Sequence, residues 1–83
     1  MDLALAKLRK ELAAKGYRRG SYYIGRLPVA DGHCILHVEG TYEVFFFERG
    51  HKFDLVSFEE APAAIKLFKE RISGGYFQKK QEY

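Results

Sequence analysis

Apolar residues along the chain change period twice, and the changes divide it into six elements. Leu5, Leu8 and Leu12 fall at helical spacing and predict a helix over residues 2–15. Asp2 is placed to N-cap it, with Lys7, Lys10 and Glu11 on the wet side. Gly16 stands where a left-handed C-terminal cap is wanted, Tyr17 can fold back on the last turn, and Lys15 suits the negative helix end. The period then shortens to two. Residues 21–26 read as a strand with Tyr22 and Ile24 on one face and Tyr23 on the other, Gly25 marking a bulge or a close backbone approach. Pro28 ends the run, and Asp31-Gly32 is a turn dipeptide.

Residues 33–39 alternate Cys34, Leu36 and Val38 against His33, Ile35, His37 and Glu39. Gly40-Thr41 turns the chain into a strand over 42–48, and Arg49-Gly50 turns it again into a shorter strand over 52–57, whose Phe53 and Leu55 share a face. Helical spacing returns over 60–72, with Ala61, Ala64, Ile65, Phe68 and Ile72 as the buried stripe. Pro62 sits in its first turn, Glu59 and Glu60 suit its positive end, and Gly74-Gly75 stops it. The order α-β-β-β-β-α with short turns predicts one α+β domain over 1–75. Its sheet is expected to be a three- or four-stranded antiparallel meander with both helices on one face. A polar tail, residues 76–83, follows and carries Tyr76, Phe77 and Tyr83.

The strand over 42–48 breaks the rule that a sheet with helices on one side is apolar on that side only. Tyr42, Val44 and Phe46 occupy one face, Phe45 and Phe47 the other. Simple alternation groups Tyr23 and Ile35 with Phe45 and Phe47 on an open face flanked by His33 and His37. Each exposed Phe forgoes roughly 1.5–3 kcal/mol of burial, so such a patch is expected to be covered. Cover by the tail, or burial of a central strand on both faces, is one explanation. A protein-binding or homodimer surface with aromatic anchors is the other.

Composition narrows the chemistry. Eighty-three residues make one domain, too small for a deep cofactor cleft beside a core. No apolar run exceeds the four residues of Val44 to Phe47, far short of a membrane span, and no signal-peptide pattern is visible. The single cysteine, Cys34, can form no internal disulfide, and a reducing, cytoplasmic setting is expected. The net charge of +3 comes from a local cluster of Lys15, Arg18, Arg19 and Arg26, while the chain from Thr41 onward balances seven basic against seven acidic residues. His33 and His37 stand roughly 13 Å apart along a strand, too far to ligate one zinc ion. Adjacent strand residues face opposite ways, so His33 cannot activate Cys34, which reads as a small buried hydrophobe. The carboxylates form no acid–base pair, and no glycine-rich loop opens a helix. A non-enzyme without metal or cofactor is expected. Arg49 in the Glu48-Arg49-Gly50 turn either pairs with a nearby carboxylate or serves as a rim contact.

Tyr23-Ile24-Gly25, Cys34-Ile35-Leu36 and Tyr42-Glu43-Val44-Phe45-Phe46-Phe47-Glu48-Arg49-Gly50, followed by Phe58, Ala64 and Phe68, make a pattern that resembles small immunity proteins of bacterial polymorphic and contact-dependent toxin systems. The resemblance covers about residues 22–72 and rests mostly on structural positions. It implies a non-catalytic protein that binds one cognate toxin domain and occludes its active site. Tyr23, Ile35, Phe45 and Phe47 would anchor the toxin, and Arg26, His33, His37 and Arg49 would surround them with polar contacts. The chain departs from the pattern at Ala61-Pro62, where acidic residues are usual, and in its basic charge. A basic member would suit a toxin with an acidic or neutral contact face. The architecture also resembles the double-stranded-RNA-binding domain, whose second helix opens with lysines that meet phosphate. Here that helix opens with Glu59-Glu60-Ala61-Pro62, which would repel a phosphate backbone.

Overall fold

The computed structural model describes residues 2–17 and 22–72. Helix α1 (Leu3–Ala14) and helix α2 (Ala61–Ile72) enclose in sequence four strands, β1 (Tyr22–Ile24), β2 (Gly32–Val38), β3 (Thr41–Glu48) and β4 (His51–Phe58). The strands form one sheet in the order β1-β2-β3-β4, an α+β fold. Arg18 and Arg19 of the basic cluster, the glycine stop at 74–75 and the tail 76–83 lie outside the described residues.

Local sequence explains the boundaries. Asp2 caps α1: its Oδ1 accepts the amides of Ala4 at 2.9 Å and Leu5 at 3.2 Å. At the other end Tyr17 N–H donates to the Leu12 carbonyl and Gly16 N–H to the Ala13 carbonyl, with Gly16 at φ +84°. This is a Schellman stop, and Tyr17 packs against the core as that motif requires. The hairpins β2–β3 and β3–β4 turn on Glu39-Gly40 and Arg49-Gly50, each with positive φ at both residues. That conformation matches the right-handed strand twist of two-residue hairpins.

The β2–β3–β4 pairs are antiparallel, as a meander should be. The β1–β2 pair differs from expectation: it is parallel, with Tyr22 opposite His33 and Ile24 opposite Ile35. Parallel neighbours need a crossover, usually a dozen or more residues long. Here β1 is so short, about 10 Å, that residues 25–31 suffice to return the chain. Gly25 lies beside Leu5 and Arg9 of α1, and from Arg26 the loop reaches the sheet face away from the helices. The Cys34 thiol donates to the Arg26 carbonyl at 3.5 Å, and the Arg26 guanidinium lies 5.2 Å from the centre of the Tyr23 ring. Asp31 Oδ1 then accepts the Arg49 amide at 3.1 Å and ties the end of this loop to the β3–β4 turn.

Both helices cover one face. Leu5, Leu8 and Leu12 of α1 and Ala64 and Phe68 of α2 bury against Tyr22, Ile24, Ile35, Tyr42 and Val44. Phe68 is fully buried and meets the Tyr22 ring edge-on at 6.5 Å. Lys69 on α2 reaches Glu11 on α1 at 2.7 Å, and with Lys15 holds that carboxyl below its ordinary range. The opposite face carries a smaller cluster of Tyr23, Cys34, Leu36 and Phe45, with Phe47 packed at its side.

A bulge interrupts β4. Val44 pairs with Val56 and Phe46 with Phe53, so three steps on β4 match two on β3. Asp54 takes φ +54° there, and Arg71 Nη1 of α2 donates to its carbonyl at 2.9 Å. The extra residue shifts the alternation, so Phe53 shares the helix-side face with Val56 while Leu55 turns to the other. Phe53 and Leu55 therefore do not share a face, contrary to expectation.

Candidate functional site

The eight residues singled out by sequence divide among three places. Tyr23, Arg26, Phe45 and Phe47 do come together on the face away from the helices. Tyr23 and Phe45 are buried there rather than open, and Phe47 is half-buried. Each buried ring carries a cation: Arg26 over Tyr23, and Lys52 Nζ 4.9 Å from the centre of Phe45. Lys52 also reaches Glu43 at 3.5 Å across the β3–β4 pair. These rings form a second small core with charged groups above it, so as they stand they are not bare anchors.

Ile35, His33 and His37 lie on the opposite, helix-side face, which corrects the expected grouping of Ile35 with Phe45. The observed register places Cys34 opposite Phe45 and Ile35 opposite Val44. His33 is 1% exposed, and its ring meets Phe46 at 4.9 Å. Burial pushes its pKa down to about 4, with the Arg71 charge adding to the effect. Arg49 sits in the β3–β4 turn, where its amide is held by Asp31. Cys34 is fully buried, and burial pushes its thiol up to about 12.

Two features escaped the sequence reading. The first is β4. Residues 51–57 are all exposed, and three of them are large and apolar: Phe53 at 46%, Leu55 at 42% and Val56 at 36%. Leu27 and Val29 on the crossing loop are more exposed still. The last strand of a meander lies at a sheet edge, which is the signal that could have located this surface.

The second is a cluster at the start of α1. Asp2 Oδ2 accepts the Tyr42 hydroxyl at 2.6 Å and lies 2.6 Å from His37 Nδ1, and His37 stacks on Tyr42 with centres 4.1 Å apart. The Tyr42 hydroxyl, then the Leu5 and Ala4 amides and His37, hold the Asp2 carboxyl below its ordinary value against the cost of burial. The same bond to Asp2 raises the Tyr42 hydroxyl. A cleft of about 350 Å³ opens beside this cluster. Its walls are Asp2, Leu5, Ala6 and Arg9 from α1, with Gly25 and His37 from the sheet. The spacing of 2, 5, 6 and 9 along one helix face is visible in the sequence, but its sheet-side wall is not.

No family model matches the chain, and neither a curated protein nor a solved structure matches it. Among the described residues no helix is long and apolar enough to cross a membrane.

Proposed function

We propose that the chain is a non-enzymatic protein-binding module of the immunity kind, acting in the cytoplasm by covering the active site of a cognate toxin domain. The observation that carries the reading is β4. Seven consecutive residues, 51–57, are exposed in a strand that presents Phe53 and Val56 on one face and Leu55 on the other. Exposed apolar side chains on a rigid element are what a protein partner buries. The contact surface therefore moves from the aromatic face expected from sequence to the β4 edge. Arg49 and Lys52 remain beside it as polar contacts. The exposed Glu59 and Glu60 at the start of α2 favour a protein over RNA, because they would repel phosphate.

Affinity purification of wild type and Leu55→Lys from a bacterial host, followed by co-expression, tests this. The expected result is one stoichiometric partner that Leu55→Lys loses without a change in melting temperature. That partner should arrest growth when expressed alone and be neutralised by the wild-type chain. Equal recovery with Leu55→Lys, or no protection on co-expression, overturns the reading. Recovery that disappears on nuclease treatment would instead point to RNA.

A further inference from the structure

The cleft between α1 and the end of β1 has no role in the binding surface just described, yet it gathers unspent hydrogen-bond donors. It lies just past the carboxyl ends of the parallel pair, where β1 stops and β2 continues, a position at which parallel sheets open a crevice. Its volume of about 350 Å³ falls at the small end of the range for ligand pockets. Gly25 forms part of its wall with φ +76°, and a Cβ there would meet Arg9 at 3.7 Å and Leu5 at 3.8 Å. The wall at this point is backbone alone, which leaves the cleft open.

Asp2 is not a free carboxylate within it. Two amides occupy Oδ1, and Tyr42 and His37 occupy Oδ2. The contact of His37 Nδ1 with Asp2 orients that ring and leaves Nε2 as its other polar atom. Among the described residues nothing else hydrogen-bonds to His37. Arg9 spends one donor on the Ile24 carbonyl at 2.9 Å, which anchors its guanidinium at the cleft wall. A guanidinium has five donors in a planar fork, and the others have no partner among the described residues. A fork from α1 and an imidazole from β2 thus border one space, with Leu5 and Ala6 as apolar wall between the polar groups.

We infer that this cleft binds a small oxyanion, the phosphate or carboxylate group of a low-mass ligand, on the free donors of the Arg9 guanidinium, with the His37 ring bordering the same space. A carboxylate or a phosphate can present two oxygens to the Arg fork. The apolar wall would hold the ligand's carbon portion.

The test is a titration of the isotope-labelled full chain, followed by amide and imidazole NMR shifts. Inorganic phosphate and acetate are added separately, against sodium chloride at matched ionic strength. Saturable shifts are expected at Ala6, Gly25 and the His37 ring, with a midpoint on the order of millimolar. Arg9→Gln should raise that midpoint by at least about tenfold, because it removes a charge-assisted contact. Arg9→Lys keeps the charge but not the fork and should weaken binding less. His37→Gln should weaken it independently, which keeps the test valid if an Arg9 variant fails to fold. Saturation by phosphate alone or by acetate alone assigns the ligand class. Shifts that follow sodium chloride, or a midpoint unmoved by Arg9→Lys and His37→Gln, overturn the inference.

Discussion

Acidification should weaken the fold through one side chain, His33. In the unfolded chain its imidazole takes a proton near the ordinary value of 6.5, whereas in the folded chain it does so only at about 4. Between those values the unfolded state binds more protons, so stability falls as the pH falls. The contribution is complete above pH 6.5 and lost as the pH drops through the folded value. It amounts to about 2 kcal/mol by pH 5 and about 3 kcal/mol in full, a large part of what a domain this small can possess. The assay is urea unfolding at several pH values between 7.5 and 5, followed by circular dichroism, on wild type and His33→Phe. The substitution keeps a ring against Phe46 and removes the titration, and comparing slopes cancels whatever titrates elsewhere. The lowered carboxyls of Asp2 and Glu11 also favour the folded state, but their contribution is lost only as pH falls through the carboxylate range. Parallel loss of stability in the two proteins would refute the assignment.

Three further outcomes follow from the packing. Cys34, buried with its thiol pushed up to about 12, should resist alkylation at pH 8 and react only as fast as the fold opens, so stoichiometric labelling within minutes in native buffer would contradict its burial. Phe68→Ala should cost about 3–5 kcal/mol, while Phe53→Ala on the exposed strand should cost under about 1 kcal/mol, both measured by urea midpoint. Asp2→Ala should cost about 1–2 kcal/mol from the lost helix cap, and Tyr42→Phe, which removes one hydrogen bond, about 1 kcal/mol, both measured by thermal melting.

The helices and hairpins were legible because their signals are local. Asp2, the leucine stripe and Gly16 bound α1 within one stretch of chain, and Arg49-Gly50 marks its turn directly. What could not be read is how strands align with one another. Alternation shows that Cys34 and Ile35 face opposite ways, but only the β2–β3 register shows that Cys34 joins Phe45. The parallel β1–β2 pair depends on a loop crossing the sheet, and the β4 bulge depends on Asp54 adopting a left-handed conformation. Neither leaves a clear sequence mark. The cleft was half visible, since Asp2, Leu5, Ala6 and Arg9 share a helix face while His37 joins them only through tertiary structure.

The bulge at Asp54 also bears on how this protein behaves when crowded. An eight-residue edge strand with exposed Phe, Leu and Val is a template on which other chains can add strands and aggregate. A left-handed residue in its middle breaks the regular row of amides and carbonyls, and Arg71 reaches from α2 to occupy the carbonyl at that break. The strand can thus keep apolar side chains at the surface while its backbone offers only short regular stretches for pairing. Solubility at high concentration then depends on Arg71, a residue of α2 that acts on the backbone of the strand rather than lying within it.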